Sequence, residues 1–109
     1  DYVNILYWIA DILISDYSSA FFDYGLRGKP MICYAYDYDQ FAKSTGLFMN
    51  LRKEFPNGVM ETEESVIDLI CNMDYATEAQ KCSKYCLSYV THPVNATQCC
   101  LNRLYEFLK

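Results

Sequence analysis

Apolar and polar positions along this chain follow a helical period in some stretches and run nearly continuously in others. Residues 1–10 place Val3, Leu6, Tyr7 and Ala10 at helical spacing, with Asp1 positioned to cap that helix. Residues 11–15, DILIS, form a short apolar run that predicts a strand covered on both faces of a parallel sheet. Helical spacing returns over 18–27, with Ala20, Phe21, Tyr24 and Leu26 turned inward. Gly28 then serves as a C-terminal cap, and Pro30 forbids continuation. Residues 31–36, MICYAY, read as a second buried strand, followed by a polar loop with a short helix at 39–43 and an irregular stretch at 47–55. Pro56-Asn57-Gly58 is a turn signal, and Gly58-Val59-Met60 a brief third strand. Thr62 is placed as an N-cap with Glu63 and Glu64 in the first turn, where the helix dipole favours negative charge. That helix runs to about Met73 on an apolar side of Val66, Ile67, Leu69 and Ile70. Two further helices, 75–90 and 96–108, are separated by Thr91-His92-Pro93.

Strands alternating with helices predict parallel βαβ units, hence an α/β fold with a three-layer, Rossmann-like parallel sheet. Three strands make a narrow sheet for such a fold. The reading is therefore the C-terminal half of a doubly wound domain whose first strands are missing; the start at Asp1 rather than Met means either processing or excision from a longer chain. Residues 1–109 are then one partial domain, with C-terminal helices over 75–109.

Half the residues are apolar (52%), enough for a packed core. The formal net charge is −5, and Lys43, Arg52, Lys53, Lys81 and Lys84 are scattered. No basic stripe marks a nucleic-acid partner or an anionic membrane surface. Asp11 breaks the first apolar run, well short of the about 20 residues of a membrane-spanning helix. The six cysteines are Cys33, Cys71, Cys82, Cys86, Cys99 and Cys100. Cys82 and Cys86 are one helical turn apart, and the adjacent Cys99-Cys100 suit neither a tetrahedral metal pair nor an easy bridge. They read as reduced thiols acting as small buried hydrophobes, and neither a metal nor a cofactor is expected.

The chemistry concentrates where the first strand ends. In open parallel sheets ligands sit beyond the carboxyl ends of the strands. Ser15-Asp16-Tyr17-Ser18-Ser19 lies there and opens a helix. Helix N-termini offer unpaired amide donors, small residues let a phosphate approach the backbone, and serine hydroxyls add donors. Asp23 follows one turn later, where a carboxylate can accept from a vicinal diol. Spacing alone leaves a second reading open: Ser18 or Asp16 caps the helix, and Asp23 is a solvated face residue.

Asp11-Ile12-Leu13-Ile14-Ser15-Asp16-Tyr17-Ser18-Ser19, Phe22-Asp23-Tyr24 and Lys29-Pro30-Met31-Ile32 closely resemble the CDP-glycerol glycerophosphotransferase family. Its "AD-L-I-DYSS---FDY" signature stands here as Ala10-Asp11 through Tyr24. Tyr36-Asp37, Gly46-Leu47-Phe48, Pro56-Asn57-Gly58 and Thr62-Glu63-Glu64 resemble later elements, so the likeness covers residues 1–70. Beyond residue 90, Val94-Asn95-Ala96-Thr97-Gln98 departs from the family pattern. The resemblance implies a GT-B architecture of two Rossmann-like domains, and transfer of glycerol or ribitol phosphate from a CDP-alditol donor to a lipid-linked polymer, as in teichoic-acid and capsule synthesis. It implies that Ser18 and Ser19 hold the donor diphosphate and Asp23 the ribose, with Asp16 and Tyr17 as further substrate-binding residues. A similar acidic position in UDP-sugar epimerases of the same architecture supports the ribose role. The family's catalytic base is an upstream histidine, so no catalytic residue is expected in this chain. The only histidine, His92, reads as a linker residue. The resemblance further implies a bacterial, cytoplasmic protein held peripherally at the inner membrane face through regions not present here.

Two other classes compete. Asp16 as a phosphorylated aspartate, as in receiver domains and haloacid-type phosphatases, needs partner carboxylates for magnesium and a lysine at a later strand end. Asp37 and Asp39 are placed for the first, and no lysine is placed for the second. A non-catalytic interaction module would use Tyr34, Tyr36, Tyr38 and Phe41 as a binding face.

Overall fold

A computed structural model describes residues 2–47 and 49–109. The elements are α1 (Tyr2–Ile9), β1 (Leu13–Ser15), α2 (Ala20–Gly25), β2 (Met31–Tyr34), α3 (Tyr38–Ser44), α4 (Leu51–Glu54), β3 (Val59–Met60), α5 (Glu63–Asn72), α6 (Tyr75–Leu87) and α7 (Ala96–Leu108). The Asp1 cap and Phe48 of the Gly46-Leu47-Phe48 stretch lie outside the described residues. The three strands form one parallel sheet in the order β1-β2-β3. Leu13, Ile14 and Ser15 stand opposite Met31, Ile32 and Cys33, and Cys33 stands opposite Val59.

The core forms where α2 and α6 close over one side of β2. Phe21 and Tyr24 of α2 meet Met31, Cys33 and Ala35 of the β2 run, Cys82 of α6, and Tyr38, Leu51 and Phe55 from the β2–β3 connection. The Met31 N–H donates to the Cys82 sulfur at 3.3 Å, tying the start of β2 to α6. Gly28 ends the α2 segment at φ 66°, a left-handed conformation that a side chain resists, and its N–H returns to the Gly25 carbonyl at 3.1 Å. Asn57 and Gly58 carry φ of 62° and 66°, which turns the chain into β3. The Asn57 side chain donates to the buried carboxylate of Glu78 on α6. Thr62 caps α5, its hydroxyl accepting from the Ser65 N–H at 3.2 Å.

Several sequence expectations are corrected by the packing. β1 is not covered on both faces: Ile14 is 46% exposed, because the side it shares with Tyr34 meets only the edge of α5 at Val66 and Ile67. Leu26 points to solvent, as do Val3, Leu6, Ile67 and Ile70; the helices carrying them bury narrower stripes than their spacing implied. The stretch 47–55 is not wholly irregular. It contains the single turn α4, whose Leu51 is buried and whose Leu51 N–H donates to the Tyr38 hydroxyl at 3.1 Å. No helix of the described residues is long and apolar enough to cross a membrane.

The reading of the cysteines as buried hydrophobes holds for Cys33, Cys82 and Cys86 and is corrected for the other three: Cys71 on α5 and Cys100 on α7 are exposed and Cys99 is half-buried, because those helix faces are not covered. Burial pushes the Cys33 thiol up from 9.0 to about 12, with Asp16 adding to the effect, and burial pushes the Tyr24 phenol up to about 12. Both groups stay neutral longer in the fold than in the unfolded chain. The unfolded chain therefore releases their protons first, and stability falls as pH rises above 9 towards 12. We expect the urea midpoint to be flat to about pH 8 and to decline from pH 9 to 10.5. A midpoint that rose over this range would contradict it. In the same samples, iodoacetamide at pH 8 should label Cys71 and Cys100 well before Cys33, Cys82 and Cys86.

Candidate functional site

The parallel register of β1 and β2 brings two short turns together at their carboxyl ends. Ser15 and Asp16 follow β1, and Ala35, Tyr36 and Asp37 follow β2. Between them lies an open cleft of about 290 Å³, lined by Ser15, Asp16, Tyr36 and Asp37 above Ile14 and Tyr34. Two carboxylates therefore face one small opening, Asp16 exposed and Asp37 half-buried.

Behind the cleft, Tyr17, Ser18 and Ser19 line a second cavity of about 200 Å³. Its walls are otherwise apolar, with Phe21, Phe22 and Tyr85 prominent. The Ser18 hydroxyl accepts from the Ala20 N–H at 3.1 Å, and the Ser19 carbonyl accepts from the Phe22 N–H at 3.0 Å. The capping alternative thus falls to Ser18, which keeps its O–H free to donate. Ser19 occupies the N-cap position, yet its side chain makes no capping bond. Asp16 makes none to α2 either; its carbonyl accepts instead from the Cys33 thiol at 3.5 Å.

Asp23 is exposed and lies one turn along α2 from Ser19, on the same side of the helix by its four-residue spacing. It lines neither cavity. The structure therefore gathers Asp16, Tyr17, Ser18 and Ser19 in one turn, with Asp23 just beyond it. Tyr17 turns inward. Its hydroxyl donates to the Asp37 carboxylate at 2.6 Å, and its ring stacks on Phe41 with centroids 3.7 Å apart. Burial first, and Asp37 second, push the Tyr17 phenol well above its ordinary range, so it remains a donor at any physiological pH. The partnership of Tyr17 with Asp37 and Phe41 was missed from sequence; the only signal was that Asp37 closes a neighbouring parallel strand.

The competing readings lose their geometry. Among the described residues, no group of three or more His, Cys, Asp or Glu side chains is placed to hold a metal ion, as the magnesium-dependent aspartyl-phosphate site requires. Tyr34, Tyr36, Tyr38 and Phe41 do not form one face: Tyr38 is buried, Phe41 is covered by Tyr17, and Tyr36 is exposed. His92 is exposed in the link before α7, its Nδ1 3.7 Å from the Cys99 sulfur and far along the chain from the turn.

Parallel strands joined through helices, with a cleft at their carboxyl ends and a serine turn opening the first connecting helix, define a Rossmann-like α/β unit. The chain belongs to the CDP-glycerol:poly(glycerophosphate) glycerophosphotransferase family, which residues 1–90 match. It is 40% identical over 77 residues to a teichoic acid glycerol-phosphate transferase of Staphylococcus aureus, covering 68% of this chain and 20% of that protein. It is 36% identical over 69 residues to a teichoic acid poly(glycerol phosphate) polymerase of Bacillus subtilis, covering 62% of this chain and 9% of that one. Among solved structures it is similar to the wall teichoic acid polymerase TagF, with a TM-score of 0.67 and 27% identity over 95% of this chain and 26% of that chain. A variant of TagF soaked with CDPG is equally similar in fold, with a TM-score of 0.66. The fold is that of a GT-B-type domain. The chain spans about a fifth or less of the curated relatives named here and about a quarter of TagF.

Proposed function

We propose that this chain is the donor-nucleotide-binding part of a transferase that moves glycerol phosphate, or a related alditol phosphate, from a CDP-alditol to a lipid-linked polymer in bacterial cell-surface synthesis. Family membership over residues 1–90 is the observation that carries the reading. The local chemistry agrees with it. The turn at the end of β1 is small, exposed and rich in hydroxyl donors, and the Ser19 hydroxyl is not spent on capping. Ser18 and Ser19 hold the diphosphate, Asp23 accepts from the ribose diol, and Asp16 and Tyr17 shape the turn between them. The first α2 amides, of Ala20, Phe21 and Phe22, are taken up by Ser18 and Ser19 within the turn, so the serine hydroxyls are the donors that stabilise the charge growing on the CMP leaving group. The base that deprotonates the acceptor hydroxyl is assigned to no residue of this chain. His92, beside Cys99 and far along the chain from the turn, is not given that role. The contact with a lipid-linked acceptor makes the whole protein peripheral to the cytoplasmic membrane face.

The test is an NMR titration of the labelled chain with CDP, CDP-glycerol and UDP. Shifts should gather at Ser18, Ser19 and Asp23 and in the turns after β2 and β3, with Asp23→Ala weakening CDP at least about tenfold, the loss of one charged hydrogen-bond acceptor. Binding unchanged in Asp23→Ala would remove the ribose role. Shifts confined to α6 and α7 would remove the site.

A further inference from the structure

We infer that Tyr17 is a positioning residue rather than a ligand contact: its bond to Asp37 and its stack on Phe41 set the geometry of the Ser18-Ser19 turn. The inference rests on the donor-binding reading of that turn. Four residues, Asp16 to Ser19, join β1 to α2, and they have few bonds of their own. They are the Ser18 hydroxyl with the Ala20 N–H, the Ser18 carbonyl with the Phe21 N–H at 3.5 Å, the Ser19 carbonyl with the Phe22 N–H at 3.0 Å, and the Asp16 carbonyl with the Cys33 thiol. Such a turn would sample several shapes unless something outside it held it.

Tyr17 supplies that hold. Asp37 sits at the N-cap position of α3, where a carboxylate ordinarily accepts from the first amides of its own helix. Here it makes no such bond and accepts the Tyr17 hydroxyl instead, at 2.6 Å. Capping is given up for a bond 20 residues away in sequence. The receiving surface is itself braced. Phe41 lies parallel to the Tyr17 ring within 4°, and the buried Tyr38 holds the Leu51 N–H. The Arg52 guanidinium covers the Tyr38 ring at 4.7 Å and pairs with Asp39 and Glu61, each at 2.7 Å. Tyr17 is thus anchored to the β2–β3 connection, while Asp16 on one side of it lines the open cleft and the serines on the other side line the apolar cavity. Anchoring the Tyr17 side chain restrains the two planar peptide units that flank it, and this narrows the backbone shapes open to Asp16 and Ser18.

Tyr17→Phe keeps the ring and the stack and removes only the hydroxyl. Asp37→Ala removes the acceptor without costing α3 a capping bond, since none exists. In the full chain we expect each single variant to weaken CDP about tenfold, the worth of one charge-assisted hydrogen bond, and the double variant to be no weaker than either single. Backbone order parameters of Ser18 and Ser19, measured without ligand, should fall in all three variants, while the urea midpoint moves little in Tyr17→Phe. A tyrosine that merely fills space would leave the order parameters and the CDP affinity of Tyr17→Phe unchanged, which overturns the inference. Additive losses in the double variant overturn it as well, because they mean that Tyr17 and Asp37 act separately. If the wild-type chain does not bind CDP, the donor reading fails, and the positioning role stands or falls on the order parameters alone.

Discussion

Replacing Tyr24 with alanine is expected to destabilise the chain by about 4 kcal/mol, the range of large aromatic truncations in a packed core. Tyr24 is fully buried, meets the edge of Tyr7 at 5.9 Å, and donates its hydroxyl to the Ala10 carbonyl at 2.9 Å. It therefore closes the core and also ties down the C-terminal end of α1, which has no buried residue of its own. A domain of this size has a total stability of roughly 5–15 kcal/mol, so the variant should be largely unfolded well before the urea midpoint of the wild type. Tyr24→Phe separates the two contributions. It removes only the hydroxyl, and the Ala10 carbonyl keeps a partner in the Lys29 ammonium at 2.7 Å. With no acceptor stranded, the cost should be about 1 kcal/mol or less. Urea unfolding followed by circular dichroism measures both. A Tyr24→Ala cost below about 1.5 kcal/mol would mean that the side chain has room to be replaced, contrary to its burial.

Much of this fold is legible because its signals are local. The Thr62 cap with its two glutamates, the Pro56-Asn57-Gly58 turn and the Gly28-Lys29-Pro30 stop each rest on backbone chemistry within a few residues, and each is found where the spacing predicts it. The serine turn is legible for the same reason, because strand, small residues and helix follow one another directly. What could not be read depends on partners distant in sequence. Ile14 has the composition of a covered strand residue, yet its exposure is decided by what lies across the sheet. Leu51 lies in a stretch with no clear period, and only Tyr38 and the core give α4 something to pack on. Tyr17 reads as a polar residue of a binding turn, and only the approach of β2 shows that Asp37 takes its hydroxyl. α7 reads as a helix and is one, but none of its residues is buried in this chain. Amphipathic spacing establishes that a helix has an apolar side; it does not supply the surface that covers it.

The second large effect concerns a glycine that no turn requires. Gly25 is the last residue of α2, has an ordinary backbone, and gives no sign in the sequence of a special role. In the fold it is where α2 touches α6. A Cβ at position 25 would lie 2.6 Å from the Cys86 sulfur and 2.7 Å from the Cys86 Cβ, closer than such atoms can stand. The Cys86 thiol is also held, donating to the Phe22 carbonyl at 3.5 Å, so it cannot simply rotate away without losing that bond. We expect Gly25→Ala to cost about 3 kcal/mol, the upper part of the range for overpacking, partly offset by the better helix propensity of alanine. The identity of the clashing atoms sharpens the expectation. Cys86→Ala removes the sulfur but leaves the Cβ at 2.7 Å, so Gly25→Ala/Cys86→Ala should remain badly destabilised. Cys86→Gly removes both, and the pair Gly25→Ala/Cys86→Gly should recover most of the loss, less the roughly 1 kcal/mol that glycine costs inside a helix. Four urea curves decide it. Equal rescue by alanine and glycine at position 86 would show that the sulfur alone sets the helix spacing, and no cost in Gly25→Ala would show that α2 and α6 can separate freely. Because α2 carries Ser19 at its start and Asp23 on its exposed side, a helix pushed off α6 also carries the proposed donor site with it. CDP affinity should therefore fall and recover together with stability across the four proteins.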